Sequence, residues 1–335
     1  MTPLSVLDLA PIAEGADAGI ALHQARDLAQ HAERLGYRRF WMAEHHSMPG
    51  VASAATAVAL CFVAGGTSTI RIGAGGIMLP NHSPLQVAEQ FGTLEALFPG
   101  RVDLGLGRAP GTDQAAAYAM RRNMSAEAGQ FPNDVVELLN YFQPAAPGQR
   151  VRAIPGEGLE VPVWILGSSN LGAHLAAQLG LPYAFASHFA PQQMMEALEI
   201  YRRTFRPSAW LDRPYAMLGF NVFAADSDDE GALLATSLQQ AFIALRTGNP
   251  GKIKPPLANF AATLPRDQRA MLDGLLSCSA IGAPATIKRQ TDAFIARTGA
   301  DELMISSQIF DHRARIRSYE LLAEAMLSRS PVLAS

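Results

Sequence analysis

The stretch Phe40-Trp41-Met42-Ala43-Glu44-His45-His46 reads as a short apolar strand that ends in one acid and two imidazoles. Polar groups able to transfer protons, placed where a buried strand ends, mark a candidate site. The pattern recurs where three further apolar runs end in Asn81-His82, in Arg108 and in Ser168-Ser169-Asn170. We therefore expect several strands to present their chemistry at the same end of a parallel sheet.

Apolar strand-like runs alternate with helical patterns along the whole chain, which is typical of βα units around a parallel sheet. About eight strands are predicted, the number that closes a (β/α)8 TIM barrel. With 335 residues and 49% hydrophobic composition, a single domain over residues 1–335 is the simplest organisation. The predicted strands are Val6 to Ala10, Arg39 to Glu44, Ile70 to Leu79, Val102 to Leu106, Val163 to Leu166, Tyr183 to Ser187, Met217 to Ala224 and Glu302 to Ser306.

Three predicted helices carry recognisable boundaries. Gly36 follows a run of helical spacing and is placed to end that helix in a left-handed conformation. Pro84 suits the first turn of another helix. The acidic segment Asp226-Ser227-Asp228-Asp229-Glu230 suits the positive end of a helix dipole, so it is interpreted as a helix start more readily than as a metal site.

The interval from Gln239 to Ala280 departs from a plain barrel. It contains Gly248-Asn249-Pro250-Gly251 and Lys254-Pro255-Pro256. Long Gly/Pro-rich excursions inside compact domains are usually functional lids or disordered loops. We therefore predict that residues 239–280 are an insertion between the seventh strand and the last βα unit, and that they form a mobile cover over the site.

The amino-acid composition argues against nucleic acid and anionic membranes as partners. The 27 basic and 30 acidic residues give a net charge of -3, which provides no electrostatic footprint for nucleic acid or an anionic membrane. Cys61 and Cys278 lie far apart in sequence, so neither a disulfide framework nor metal-ligand spacing is indicated. We expect reduced thiols, a cytoplasmic location, a small-molecule substrate and no metal.

Glu44, His45 and His46 admit three interpretations: a metal site, an acid/base pair, or structural hydrogen bonding. Adjacent residues of an extended strand point to opposite faces, so two neighbouring histidines are weak evidence for a metal. A neutral imidazole is a good base near physiological pH, and Glu44 could orient or charge it. The residues alone leave catalysis and structural hydrogen bonding equally open.

Other strand ends also have two interpretations each. Gly75-Gly76 indicates either a bulge or backbone crossing, or a surface for a flat ligand ring. Arg108 with Ser168-Ser169-Asn170 suits a phosphate clamp, although Ser and Asn are also ordinary helix caps. Further polar groups at strand ends, each more often structural than functional, are Ser187-His188, Asn221 and Gln308.

Together these motifs make the chain resemble the bacterial luciferase-like flavin-dependent monooxygenases, especially the YhbW-like subgroup. The resemblance spans essentially the whole chain, and no single motif would establish it. The motifs are Trp41 to His46, Gly73 to His82, Ala88-Glu89-Gln90-Phe91, Pro99-Gly100-Arg101, Gly105-Leu106-Gly107-Arg108 and Gly282-Ala283-Pro284.

The resemblance implies a (β/α)8 barrel with its site at the carboxyl ends of the strands. It implies FMN bound in reduced form, supplied by a separate NAD(P)H-dependent flavin reductase, and a reaction with O2 that gives a C4a-hydroperoxide able to oxygenate a small organic substrate. His45 matches the catalytic histidine, with Glu44 and His46 in support. Gly75-Gly76 matches a cis peptide beneath the flavin. The remaining cofactor contacts it implies are Arg108, Gly167, Ser168, Ser169, Leu171 and Ser187.

Two departures from luciferase limit what the resemblance implies. Gly107 stands where luciferase has a reactive cysteine, and Gly167 replaces an acid of the phosphate loop. We therefore predict a monooxygenase, and these departures weaken any transfer of luminescence or long-chain aldehyde specificity from luciferase. The family also implies a homodimer, for which the small-residue segment Ser53 to Ala64 is suited. Two alternatives remain: an F420-dependent oxidoreductase that transfers hydride on the same barrel, and a non-catalytic flavin-binding protein.

Overall fold

The apolar runs of the sequence form parallel strands, which helices surround. The computed structural model describes residues 1–108, 116, 119–120 and 129–327. The strands are β1 (Leu4–Asp8), β2 (Arg39–Met42), β3 (Arg71–Met78), β4 (Val102–Gly107), β5 (Val163–Gly167), β6 (Tyr183–Phe185), β7 (Ala216–Ala224), β8 (Ser279–Gly282) and β9 (Glu302–Ser306). The helices of the described residues are α1 (Ala18–Leu35), α2 (Thr56–Ala64), α3 (Pro84–Leu97), α4 (Phe131–Tyr141), α5 (Asn170–Leu179), α6 (Met194–Thr204), α7 (Asp228–Arg246), α8 (Arg266–Leu276), α9 (Pro284–Thr298) and α10 (His312–Met326).

Eight of these strands close into a barrel, as predicted. Each strand from β1 to β7 pairs in parallel with the next, and β9 lies between β7 and β1 and completes the ring. The predicted strands correspond to these eight, with ends that differ by up to two residues. The (β/α)8 fold class is confirmed.

The ninth strand, β8, was not predicted. It pairs with the second half of β7, from Asn221 opposite Ser279 to Ala224 opposite Gly282. The first half of β7 is the part that pairs with β6 and β9. β8 therefore pairs with the part of β7 that continues beyond the closed ring of eight strands. Its four residues are too few to show the alternation that identifies a strand in sequence.

The helix boundaries agree with the sequence. Gly36 ends α1 with φ 84°, and Pro84 is the first residue of α3. The Ser227 hydroxyl accepts a hydrogen bond of 3.2 Å from the Glu230 backbone N–H at the start of α7. The acidic segment is thus a helix start.

The interval 239–280 contains more regular structure than its composition suggests. It begins inside α7, contains α8, and ends inside β8, so the predicted boundaries cut through two elements. An apolar cluster joins α7 to α8 through Leu238, Phe242, Leu272 and Leu275. Burial of these side chains, and not the loop residues, gives this segment its structure.

The barrel interior is filled at the end where the strands begin. The Arg39 guanidinium donates to Asp103 at 2.8 Å and to Glu302 at 2.7 Å, and all three residues are buried. Above this ion network the rings of Trp41 and Trp164 pack edge to face with centroids 5.2 Å apart. Among the described residues, the barrel interior is therefore filled at this end, and the candidate site residues lie at the other. No helix among the described residues has the length and apolarity needed to cross a membrane.

Candidate active site

The end of β2 positions the acid and the two imidazoles at the mouth of the barrel, where the strands end. β2 ends at Met42, so Ala43 to His46 are irregular and free of the alternation that a strand would impose. The prediction that this strand runs to Glu44 was therefore two residues too long. Because the strand has ended, its polar residues need not point to opposite faces.

Glu44 forms the centre of a hydrogen-bonded network. Its buried carboxylate Oε1 contacts His46 Nε2 at 2.6 Å and His82 Nε2 at 2.8 Å, and its Oε2 accepts the Met78 backbone N–H at 3.0 Å. Burial alone would raise the pKa of this carboxyl. Hydrogen bonds and charge from His82, with hydrogen bonds from His46 and Met78, outweigh burial and lower the pKa of Glu44. The carboxylate is therefore held ionised and ties the end of β2 to the end of β3.

Glu44, His46 and His82 also offer three potential metal ligands within 4.8 Å of one another. The separations between Glu44 Oε1 and the two Nε2 atoms are hydrogen-bond lengths. The network thus accounts for all three groups by hydrogen bonding, and the absence of a metal stays a prediction.

His45 is half-buried at the same strand end. It lies near enough to His188, which follows β6, to affect its ionisation: burial, together with the nearby His45, lowers the pKa of His188 to about 4. In the ring of eight barrel strands β2 and β6 are diametrically opposite. The two imidazoles therefore face the barrel mouth from opposite sides.

Gly75-Gly76 forms a surface without side chains on β3. The peptide bond between them is cis, in agreement with the expectation from the resemblance. A Cβ on Gly75 would lie 2.8 Å from Leu7 Cδ1, and one on Gly76 would lie 2.7 Å from the Gly105 carbonyl oxygen. No side chain fits at either position without displacing its neighbours. The backbone itself is thus the wall that a ligand would meet.

The residues predicted to bind phosphate follow β4 and β5, which are neighbours. Gly107 of β4 lies opposite Leu166 of β5, so the exposed Arg108 and Gly167 are adjacent at the mouth. Ser168 and Ser169 lead from β5 into α5, of which Leu171 is an exposed first-turn residue.

The start of α5 is suited to an anion. The hydroxyl of Ser169, the N-cap residue, makes no capping hydrogen bond. Backbone N–H groups of a first helical turn lack partners within the helix and attract anions. The structure therefore brings Arg108, Gly167, Ser168, Ser169 and Leu171 together.

Ser187 has a different environment from the other predicted contacts. It is completely buried, and its hydroxyl donates to the Gly219 carbonyl at 2.6 Å. The next residue, His188, accepts a hydrogen bond on its carbonyl from Asn221 Nδ2 at 2.8 Å. Both bonds fasten the loop after β6 to β7. This geometry favours a structural role for Ser187, and its contact with a cofactor stays a prediction.

A narrow cleft inside the mouth joins these elements. It is lined by Leu7, Trp41, Gly75, Leu166, Met217 and Met304, with further contributions from residues 184–186, His188 and Gly219. Apart from His188, these side chains carry no titratable group. The Trp41 Nε1–H is already donated to Asp103 at 3.1 Å. The cleft is therefore largely apolar and small, with a volume of about 40 Å³.

Sequence reasoning quoted His82 and His188 but did not assign either to the site. Both come shortly after a strand ends, His82 after β3 and His188 after β6, which is the signal that identified His45. What the sequence could not supply was the partner of each ring: Glu44 lies 38 residues from His82, and Gly219 contacts His188 from another strand.

Comparison with known proteins agrees with this geometry. The model of the luciferase-like monooxygenase family matches residues 2–302. The chain is 51% identical to a luciferase-like monooxygenase of Escherichia coli K12, with 95% of each chain covered. It is 32% identical to the N-acetyl-S-alkylcysteine monooxygenase of Bacillus subtilis 168, covering 98% of this chain and 99% of the other.

Among solved structures, apo-MsnO8 superposes with a TM-score of 0.86 at 33% identity, covering 97% of this chain and 98% of the other. Two more distant structures share the fold alone. One is the oxygenating constituent of 3,6-diketocamphane monooxygenase from Pseudomonas putida in complex with FMN (TM-score 0.72, 18% identity, 97% of each chain). The other is an F420-dependent secondary alcohol dehydrogenase (TM-score 0.70, 14% identity, 97% and 98%). The barrel, its motifs and these matches show that the chain belongs to the luciferase-like monooxygenase family.

Proposed function

We propose that this protein is a monooxygenase that uses reduced FMN and O2 to oxygenate a small organic substrate at the barrel mouth. One observation carries the proposal: Gly75, in the side-chain-free pair Gly75-Gly76, lines an apolar cleft that His188 also lines, and His45 lies close to His188. A flat ring can lie against such a surface while a proton-transfer group faces it.

The mouth fits FMN in two further respects. The start of α5 and the exposed Arg108 form an anion site, which suits the phosphate of the flavin. Gly167, Ser168, Ser169 and Leu171 complete that site from the β5 side. Bound reduced flavin would supply the electrons that activate O2. A separate NAD(P)H-dependent flavin reductase would supply the reduced cofactor.

The chain's own residues would then position and protect the reacting atoms. His45 holds or moves a proton at the reacting oxygen, whereas Glu44 and His46 are positioning residues, because the Glu44 network ties the ends of β2 and β3 together. The backbone of Ile253, within the segment 239–280, exchanges hydrogen bonds of 2.9 Å with Ile12 and Glu14 after β1. This contact supports our proposal that the segment covers the mouth, where a cover would exclude water.

A second candidate is F420-dependent hydride transfer. The F420-dependent alcohol dehydrogenase has the same fold, and a surface of two glycines accepts either tricyclic ring. A non-catalytic flavin binder is less favoured, because such a protein has little need for a base such as His45. We also propose a homodimer through α2, whose Val58 is 72% exposed. An exposed valine on an apolar helix suits an interface between subunits.

The roles are tested by His45→Ala, with product formation and reduced-FMN binding measured separately. We expect the affinity for reduced FMN to change less than about threefold and product formation to fall by about 10²-fold or more, the range of general acid–base catalysis. His31→Ala is the matched control, because His31 lies in the later half of α1, beside Asp27. Unchanged turnover in His45→Ala would remove this residue from the mechanism.

A further inference from the structure

A buried ion pair lies behind the first barrel strand, outside the cleft. Leu7 lines the cleft, and successive residues of a strand point to opposite faces, so Asp8 at the end of β1 faces the surrounding helices. Asp8 Oδ1 lies 2.8 Å from Nη2 of Arg315, near the start of α10, and the two side chains are only 2% and 4% exposed. Neither charge belongs to the cleft lining or to the Glu44 network.

The pair leaves part of its hydrogen-bonding capacity unused. Asp8 Oδ2 and Arg315 Nε are buried and have no hydrogen-bond partner in the chain. Moving two charges out of water is costly, and a buried pair with unsatisfied atoms adds little stability compared with apolar side chains of similar size. Stability alone therefore does not explain the pair, and a role in fixing one local conformation is the alternative.

Asp8 holds the backbone that follows β1. Its Oδ1 also accepts the Ala10 backbone N–H at 3.0 Å. Ala10 has φ 46°, in the left-handed region that residues with a Cβ rarely adopt. Such a conformation persists only where the surrounding contacts impose it. The Asp8 carboxylate supplies one of these contacts, and Arg315 fixes the carboxylate.

The loop that begins at Ala10 is bonded to the loop after β2. The Ala10 carbonyl accepts the Ala52 N–H at 3.1 Å, and the Ile12 N–H donates to the Gly50 carbonyl at 2.9 Å. The loop after β2 also carries His45. The conformation that Asp8 holds therefore extends to the segment that presents this imidazole.

The same loop is bonded to the segment 239–280. The Ile253 N–H donates to the Ile12 carbonyl, and the Ile253 carbonyl accepts the Glu14 N–H, both at 2.9 Å. Ile253 is 4% exposed, although the residues on either side of it in the chain are exposed. The proposed cover is thus fastened at Ile253 to a loop whose first turn Asp8 holds.

We propose that Arg315 is a positioning residue, which through Asp8 holds the loop after β1 and thereby fixes the proposed cover at Ile253. Because the pair is absent from the cleft lining, it acts on the site through these loops. The effect of the cover on the reaction rests on the proposed function, whereas the attachment of Ile253 does not depend on a cofactor.

Limited trypsin digestion of the full-length protein tests the attachment. Trypsin cleaves after lysine, and cleavage after the exposed Lys252 requires Ile253 to leave its two hydrogen bonds. Cleavage after Lys288 instead requires α9 to unfold. Arg315→Met should raise the rate of cleavage after Lys252 by at least about tenfold more than the rate after Lys288, because release of the segment is a local opening.

Arg39→Met is the matched control, because it removes a buried arginine from the other end of the barrel. It should raise cleavage after Lys252 and after Lys288 by the same factor, through global unfolding. Arg315→Lys keeps the positive charge, so its effect should lie between those of the wild type and Arg315→Met, and it replaces the methionine variant if that does not fold. Equal factors at the two sites in the Arg315 variants would overturn the inference.

The oxidation of bound flavin tests the effect on the reaction. Without a substrate, reduced FMN and O2 give FMN and H2O2, and entry of water into the mouth speeds H2O2 release. Arg315→Lys should release H2O2 at least about threefold faster than the wild type and bind reduced FMN within about twofold of it. Unchanged H2O2 release despite selective cleavage after Lys252 would overturn the role in the reaction. If the wild type does not bind reduced FMN, the proposed function fails, and the digestion still decides the attachment.

Discussion

The two ends of the barrel differ in whether their buried polar groups have hydrogen-bond partners. At the end where the strands begin, Arg39 is paired with both Asp103 and Glu302, and Tyr215 donates a further bond of 2.8 Å to Glu302. At the mouth, Ser306 and His188 each keep a buried polar atom without a partner. The end where the strands begin pairs its buried charges with one another, whereas the mouth contains buried polar atoms without a partner.

One end of the barrel therefore contributes mainly to stability, and the other contributes mainly to function. The position of the ion network agrees with the rule that the strand starts of such barrels stabilise the fold while the strand ends carry the chemistry. Burial alone would lower the pKa of the Arg39 guanidinium, but Asp103 and Glu302 raise it instead. Substitutions where the strands begin should therefore change mainly the free energy of unfolding, whereas substitutions at the mouth should also change flavin binding.

The largest effect is expected for Arg39→Met, which removes the centre of the ion network at the end where the strands begin. It leaves the buried Glu302 without its close counterion and leaves Asp103 paired with Arg71 alone. Loss of one partner from a buried pair costs about 3–5 kcal/mol of unfolding free energy. Urea denaturation measures this loss. The neighbouring Arg38, with a 47% exposed side chain and an ion pair of 3.8 Å to Glu302, is the matched control, and Arg38→Met should cost less than about 1 kcal/mol. A similar loss in both variants would contradict a special role for the buried network. Arg39→Met protein that folds should still bind reduced FMN.

A smaller effect is expected from filling the backbone surface at the mouth. Gly76→Ala places a Cβ 2.7 Å from the Gly105 carbonyl oxygen, so the strands must separate, at a cost of about 1–3 kcal/mol and with weaker binding of reduced FMN. Gly274→Ala in α8 is the control, because a Cβ there meets nothing within 4 Å and alanine favours a helix. Thermal denaturation and flavin titration of both variants check this. Normal flavin affinity in Gly76→Ala would show that the ring does not lie there.

The smallest effect concerns pH. The pKa of His188 is about 4 in the folded protein, against 6.5 for an unperturbed histidine, so the unfolded chain takes up a proton first as the pH falls. The contribution of His188 to stability is thus complete above pH 6.5 and is lost between pH 6.5 and about 4. Wild-type protein should lose on the order of 1 kcal/mol more than His188→Phe between pH 6.5 and 5. Parallel stability curves for the two proteins would mean that this imidazole is not buried as described.

The sequence predicted the barrel and most of its strand ends because apolar runs and their polar termini are local signals. It did not predict that Arg39 would pair with Asp103 and Glu302, which lie 64 and 263 residues away. A charge at the start of a strand looks the same whether it is solvated or paired inside a barrel. Such pairing depends on closure of the ring, and the periodicity of single segments carries no information about it.

The same limit applies to the site. His45 was identified from its own strand end and a family resemblance. The position of Ser306 depends on its register with β7, and that of the His188 ring depends on the space at Gly219. Neither is visible in a linear pattern. Ser187 shows the converse, because the family resemblance implied a cofactor contact, whereas its hydroxyl is bonded to the Gly219 carbonyl.

The central claim, that the mouth is a reduced-flavin site, is tested most directly by anaerobic titration of the protein with photoreduced FMN and, in parallel, with reduced F420. The account predicts saturable binding of reduced FMN, at least about tenfold tighter than that of F420, and weaker binding in Arg108→Ala because a phosphate contact is lost. Tighter binding of F420, or no binding of reduced FMN, would contradict it.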